Sequence, residues 1–202
     1  FADDGLGLYV VCDGMGGHDG GEVASMVAIR SISCYFAQRG DQIRESRGDE
    51  QTLKRHVIDA IAEANNEICF LSESSEFFRE MGTTITLLLI GDRFGIMGHC
   101  GDSRLYQVRN GLKLLSRDHT FEQQLRDGGF KSEGIERYGH ILTRVLGRKD
   151  FRAPDVETFP LVKGSRFLLC TDGLSRYLDD ELQRSVAWCF ERQQLIDQLF
   201  AF

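Results

Sequence analysis

The sequence predicts an α+β fold built on antiparallel strands, and three observations carry that expectation. Short apolar runs rich in strand formers recur, as in Leu6-Gly7-Leu8-Tyr9-Val10-Val11 and Arg166 to Cys170. Two long stretches instead space their apolar residues at helical intervals. After them comes a run of strands joined by turns with no helix intervening, which reads as an antiparallel meander rather than alternating strand and helix.

The elements follow in order. The first strand, ending at Val11, runs into Asp13-Gly14-Met15-Gly16-Gly17-His18-Asp19-Gly20-Gly21, which the glycine content predicts as loop throughout. A helix is expected from Glu22, with Val23, Met26, Val27, Ile29 and Ile32 on its apolar face. Gly40 to Gly48 is polar and reads as a connection. Glu50 to Ser72 is predicted helical, with Leu53, Val57, Ile58, Ile61 and Ile68 facing the core. Thr83 to Ile90 and Phe94 to Cys100 read as strands around the turn Gly91-Asp92-Arg93. Leu105 to Arg109 and Leu112 to Leu115 flank Asn110-Gly111, a strong hairpin signal. Residues 116–150 are broken by glycines and read as short helices in an irregular excursion. Arg166 to Cys170 is a buried strand turning at Thr171-Asp172-Gly173, and Asp179 to Phe202 reads as helix with Asp179 or Asp180 as its cap.

Composition narrows the function classes. The 202 residues fit one domain, and 42% hydrophobic content suffices for a core. A net charge of -7 argues against general binding to nucleic acid or anionic membrane, while leaving room for a local basic patch. No apolar stretch approaches the roughly 18 residues of a membrane span, and Phe1-Ala2-Asp3-Asp4 carries no signal-peptide pattern. The six cysteines form no Cys-x-x-Cys pair, which argues against a zinc knuckle or redox motif and points to reduced thiols and a cytoplasmic setting.

Two features share one layout. An apolar strand ends in Asp13-Gly14, and another ends in Asp172-Gly173. Carboxylates at strand ends are rigidly held and can converge at one sheet edge, where hard divalent cations such as Mg²⁺ and Mn²⁺ prefer oxygen ligands. Each Asp-Gly alone is equally a common turn. The loop around the first is crowded with Gly14, Gly16, Gly17, Gly20 and Gly21 about a single His18. So flexible a loop costs conformational entropy, which is usually tolerated at functional sites. A dinucleotide fingerprint fits poorly, because Asp19 stands where its third glycine belongs and Asp13 would face the pyrophosphate. No Gly-Lys-Ser/Thr closes the run, which excludes a P-loop.

Residues 13–25, Asp13-Gly14-Met15-Gly16-Gly17-His18-Asp19-Gly20-Gly21-Glu22-Val23-Ala24-Ser25, resemble the signature of the protein phosphatase 2C family, the metal-dependent PPM serine/threonine phosphatases. Further matches follow in the family's order: Met81-Gly82-Thr83-Thr84, the Gly98-to-Tyr106 segment around Gly101-Asp102-Ser103-Arg104, Ser116-Arg117-Asp118-His119-Thr120, Leu142-Thr143-Arg144-Val145-Leu146-Gly147, and Leu169 to Leu174. Short insertions resemble the bacterial-type branch.

The resemblance implies a four-layer α-β-β-α sandwich, two antiparallel sheets face to face with helices outside. It implies two Mn²⁺ or Mg²⁺ ions, with Asp13 bridging both, the Gly14 carbonyl on one and Asp172 on the other. Asp102, with Asp172, resembles the pair that takes a weaker third ion. The ions would acidify a bridging water, which then attacks the phosphorus of phosphoserine or phosphothreonine. His18 falls where the family places the acid that protonates the leaving oxygen.

Several quieter roles follow from residue type. Arg104 and Arg144 are candidates for phosphate contact or for surface salt bridges. Asp118 and His119, being adjacent, are expected to point apart and not to act as a dyad. Glu22 and Ser25 are expected at the loop-to-helix junction.

The expected partners are a phosphorylated protein substrate and a cognate Ser/Thr kinase, with no nucleic acid and no membrane, for a monomer. The family's upstream Arg and Asn-Glu-Asp segment and downstream Asp-Asn segment are not in this chain. Residues 1–202 are therefore expected to form a single phosphatase domain truncated at both ends, lacking terminal strands and outer ligands. That gap motivates the alternative of a non-catalytic phosphoprotein- or kinase-binding pseudophosphatase.

Overall fold

A computed structural model describes residues 1–16, 18–108, 111–130 and 134–177, with 185 and 189, apart from the side chains of residues 18 and 19. All strand pairings among them are antiparallel. The larger sheet has five strands in the order β1 (Ala2–Asp3), β2 (Leu8–Val11), β5 (Ile85–Ile90), β6 (Phe94–Cys100) and β9 (Asp155–Pro160). A second sheet places β7 (Arg104–Val108) between β10 (Arg166–Cys170) and β8 (Leu112–Leu114). A short ribbon pairs β3 (Gly14–Met15) with β4 (Gly82–Thr83).

Side-chain alternation along the strands assigns the layers. Leu8 and Val10 of β2, Leu87 and Leu89 of β5, and Ile96 of β6 point into the main core. There they meet α1 (His18–Gln38) and α3 (Glu50–Ser74), which cross the outer face. The opposite face offers Tyr9, Leu88 and Met97, which pack on Leu105, Phe167 and Leu169 of the smaller sheet. This gives helix, sheet and facing sheet among the described residues. Of the helix expected over residues 179–202, all but residues 185 and 189 lie outside them.

The helices form for local reasons. The Asp49 side chain caps α3 by accepting from the backbone N–H of Gln51 and Thr52 at 3.0 and 3.1 Å. Leu53, Val57, Ala60, Ile61, Ala64 and Ile68 make its buried stripe. Ala24 and Ala28 of α1 and Ala60 and Ala64 of α3 are fully buried, and such small side chains let the two helices approach closely.

Four local expectations are corrected. Helix α1 begins at His18 rather than Glu22, and Gly14–Met15 is strand, so the supposed nine-residue loop is mostly ordered backbone. The reason is tertiary: β3 pairs with β4, and Gly21 packs against the backbone of Gly14. Met26 and Ile58 are exposed, because the buried stripes run through alanine instead. Gly40 to Gly48 contains a short helix α2 (Gly40–Glu45), anchored by the buried Ile43. The edge strand β9 carries no clean alternation and ends in Pro160, so pattern alone gives no sign of it.

The β7–β8 hairpin is where Asn110-Gly111 predicts it, with Val108 opposite Leu112 and Gly111 at φ +124°; Asn110 itself lies outside the described residues. Short helices α4 (Phe121–Asp127) and α5 (Asp172–Ser175) complete the elements. Among the described residues no helix is long and apolar enough to cross a membrane.

Candidate active site

Asp13 lies two residues beyond the end of β2, and its backbone is tied to one threonine pair. Its N–H donates to Thr84 Oγ1 at 3.0 Å, and its carbonyl accepts from the Thr84 N–H at 2.8 Å and from Thr83 Oγ1 at 2.9 Å. Asp172 opens α5 at the end of β10. The fold brings these two strand ends together, so that the Asp13 and Asp172 carboxyl groups come within hydrogen-bonding reach. Burial first, then this neighbouring carboxyl, raises the Asp13 pKa, opposed by Arg176 and Thr171. Arg176, one turn along α5, forms an ion pair with Asp172.

Asp102 sits in the turn between β6 and β7, after Gly101 at φ +117°. Burial, followed by the charges of Asp172 and Asp118, pushes its carboxyl up to about 6. Asp102 and Asp172 line one cavity of about 310 Å³ together with Arg104, Asp118 and Arg176. Asp172 therefore lies beside Asp13 on one side and Asp102 on the other.

Among the described residues no three His, Cys, Asp or Glu side chains draw close enough to hold an ion unaided. The donors that are present fit Mg²⁺ or Mn²⁺ in kind. They are hard oxygens crowded by their own like charge, and a cation would relieve that crowding. Cysteine chemistry is not offered here, since burial pushes the Cys12 and Cys100 thiols up to about 12.

His18 begins α1, and its side chain lies outside the described residues. Gly14 is ordered by a contact no other residue could make, because a Cβ there would lie 1.8 Å from the Gly21 carbonyl oxygen. Ser25 Oγ donates to the Glu22 carbonyl at 3.0 Å, within the first turns of α1.

The two arginines are both committed to carboxylates. Arg104 grips Asp118 through Nε at 3.0 and 3.1 Å and Nη2 at 2.6 Å. Arg144 Nη1 donates to Asp155 Oδ1 at 2.6 Å. Asp118 and His119 do point apart, Asp118 toward Arg104 and His119 toward Asp155.

A buried polar layer beneath the site escaped the sequence reading. His99 is fully buried in β6, its Nε2 donating to the Arg117 carbonyl at 3.0 Å and its Nδ1 2.9 Å from Thr86 Oγ1. Its signal was legible, a histidine at an inward position of an otherwise apolar strand. Asp155 had none, since its place depends on β9 pairing with β6.

His99 predicts an acid weakness. Burial, then the neighbouring His119, lowers its pKa to about 4. The unfolded chain thus binds the proton more tightly. Stability is complete above about 6.5 and is lost as pH falls toward 4, by about 3 kcal/mol in all. Asp102, raised to about 6, slopes the opposite way over part of that range. Urea unfolding at several pH values in the Asp102→Asn background should therefore show the loss. His99→Gln, which keeps a donor for the Arg117 carbonyl, should flatten it.

A model of the protein phosphatase 2C family matches residues 1–199. The chain is 31% identical over 181 residues to a serine/threonine phosphatase, stp, of Listeria monocytogenes, covering 88% of this chain and 70% of that protein. It is 36% identical over 183 residues to the serine/threonine protein phosphatase PstP of Mycobacterium tuberculosis, covering 88% of this chain but only 33% of that longer protein. A crystal structure of the PstP catalytic domain in complex with two manganese ions superposes with a TM-score of 0.71 at 29% identity, covering 92% of this chain and 79% of that one. The ordered motifs, the facing antiparallel sheets and the joined strand ends now rest on one ancestry: the chain belongs to the protein phosphatase 2C family.

Proposed function

We propose that this chain hydrolyses phosphoserine and phosphothreonine in proteins with the help of bound Mn²⁺ or Mg²⁺. The observation that carries the reading is the meeting of Asp13 and Asp172, which end strands at opposite ends of the chain. Asp13, the Gly14 carbonyl, Asp172 and Asp102 would hold the ions. When bound, such ions polarise phosphoryl oxygens and lower the pKa of water.

The chain's own groups do the rest. Thr83 and Thr84 fix the Asp13 backbone from both sides, so the carboxyl is aimed without reorganisation. Arg176 holds Asp172 in the orientation that faces Asp13. His18, at the start of α1, donates the proton that a serine or threonine oxygen needs on leaving.

The test is phosphate release from a phosphothreonine peptide by the full-length protein, with Mn²⁺ and with EDTA. Release that requires the metal supports the reading, and none with Mn²⁺ sinks it. His18→Ala should lower the peptide rate by about 10²-fold and spare p-nitrophenyl phosphate, whose leaving group needs no proton. Equal losses on both substrates would remove His18 from that role.

A second reading is a module that binds phosphoproteins without cleaving them. Calorimetry on the full-length protein separates the two, since a non-catalytic module would take up no Mn²⁺.

A further inference from the structure

The polar contacts around His119 form one unbroken chain from the protein surface to the backbone of Asp13. At its centre, the Gly101 N–H donates to His119 Nδ1 at 3.0 Å, and the Gly101 carbonyl accepts from the His119 N–H at 2.7 Å. His119 therefore holds both backbone polar groups of the residue that precedes Asp102. Gly101 has no freedom to be anything else, since its φ is +117° and a Cβ would lie 2.5 Å from Thr84 Cγ2.

The bond directions follow from elementary chemistry. Nδ1 accepts a backbone proton, so it carries none, and the ring proton sits on Nε2. Nε2–H donates to Asp155 Oδ2 at 2.9 Å. Arg144 Nη1 donates to the other oxygen, Asp155 Oδ1, at 2.6 Å, and Nη2 donates to the Ala153 carbonyl at 2.7 Å. Nη1 and Nε2 also lie 2.9 Å apart. Both carry protons, so that approach is two donors sharing one carboxylate.

On the far side of Asp102 the chain continues. Ser103 Oγ meets Thr84 Oγ1 at 2.7 Å, and Thr84 Oγ1 accepts from the Asp13 N–H at 3.0 Å. Arg144 and Asp155 line an open cleft of about 730 Å³ beside Met15, which gives the chain its solvent end.

We propose that His119, oriented by Asp155 and Arg144, is a positioning residue that holds the Gly101–Asp102 turn at the depth where Asp102 faces Asp172. It touches neither substrate nor ion. An almost fully buried imidazole is costly unless both nitrogens are bonded, and here each bond is made to one end of this relay. Arg144 is thereby assigned to the carboxylate of Asp155 rather than to phosphate. The proposal rests on the phosphatase reading for its effect on activity, though not for its effect on the turn.

The experiment uses the full-length protein and three readouts: Mn²⁺ affinity by calorimetry, kcat and KM on a phosphopeptide, and exchange of the Gly101 amide by NMR. His119→Asn keeps an oxygen acceptor near the place of Nδ1, and His119→Ala keeps none. His119→Ala should weaken Mn²⁺ affinity and kcat by about 10- to 100-fold. KM should stay within about twofold, because uniform substrate binding is untouched. Gly101 exchange should rise by at least about tenfold as its acceptor is lost.

His119→Asn should recover most of each quantity, a rescue that general destabilisation would not show. The proposal is overturned if Asn performs no better than Ala, or if Ala leaves Gly101 exchange and Mn²⁺ affinity at the wild-type level. If His119→Ala does not fold, Asp155→Asn at the half-exposed end decides. A loss of affinity of about tenfold supports the proposal, and wild-type affinity overturns it. If the wild-type protein binds no Mn²⁺, the phosphatase reading fails, and Gly101 exchange alone judges the positioning role.

Discussion

Asp13→Asn should abolish manganese-dependent phosphate release, by at least about 10³-fold, the several kcal/mol a cation lends to a phosphoryl transition state. The substitution keeps size and shape, so the loss would be one of charge. Its effect on stability should run the other way. Without metal, Asp13 and Asp172 face each other as like charges, and the Asp13 pKa is raised by burial and by that neighbour. A raised carboxyl holds its proton more tightly when folded. Its contribution to stability is therefore full below the unfolded value and is lost as pH rises through the folded one.

Asparagine has no such loss, so in EDTA at neutral pH the variant should match or exceed wild type by roughly 0.5 kcal/mol, a small figure because the group is half-exposed and water screens it. Manganese should reverse the order. At about 100 times the dissociation constant it adds about 2.7 kcal/mol to wild type and little to the variant. Urea titrations with Mn²⁺ and with EDTA check both signs. A variant that is less stable than wild type in EDTA would mean that the two carboxyls do not crowd each other.

The second large effect separates two turns that share the same Asp-Gly pair. Gly14→Ala should cost on the order of 4 kcal/mol or prevent folding, the range reserved for substitutions with no way to relax. Its Cβ would lie 1.8 Å from the Gly21 carbonyl oxygen and 2.3 Å from the Gly21 carbonyl carbon, both backbone atoms. Gly173 follows an aspartate in the same way, yet the nearest atom to a Cβ there is Thr171 Oγ1 at 3.8 Å. It lies within α5, where alanine is the better helix former. Gly173→Ala should therefore stabilise by roughly 0.5 kcal/mol. Thermal or urea unfolding of the two variants side by side decides, and equal costs would refute the contact at Gly14.

These two turns show where sequence reasoning holds and where it stops. Both Asp-Gly pairs could be found by the apolar strands that precede them. That Gly14 is indispensable and Gly173 is not depends on α1 beginning at His18 and laying Gly21 against β3, a contact between segments that pattern treats separately. Helix faces failed for a similar reason. Met26 and Ile58 are larger and more apolar than Ala24 and Ala60, yet they lie exposed while the alanines are fully buried. The relay behind Asp102 was out of reach, because Asp155 reaches His119 only once β9 has joined the edge of β6.

The sequence by itself determined the α+β class, the antiparallel meander, the turns at Asp13 and Asp172, and the family to which these motifs belong. Each follows from local periodicity or from a short ordered string, which a linear chain displays without folding. Only the tertiary structure decided that Asp13 and Asp172 meet with Asp102 beside them, that Arg104 and Arg144 are bound to carboxylates, and that His99 and His119 lie beneath the site. Those facts concern which distant residues share one small volume. Sheet pairing and helix crossing set that volume, and no spacing along the chain encodes it.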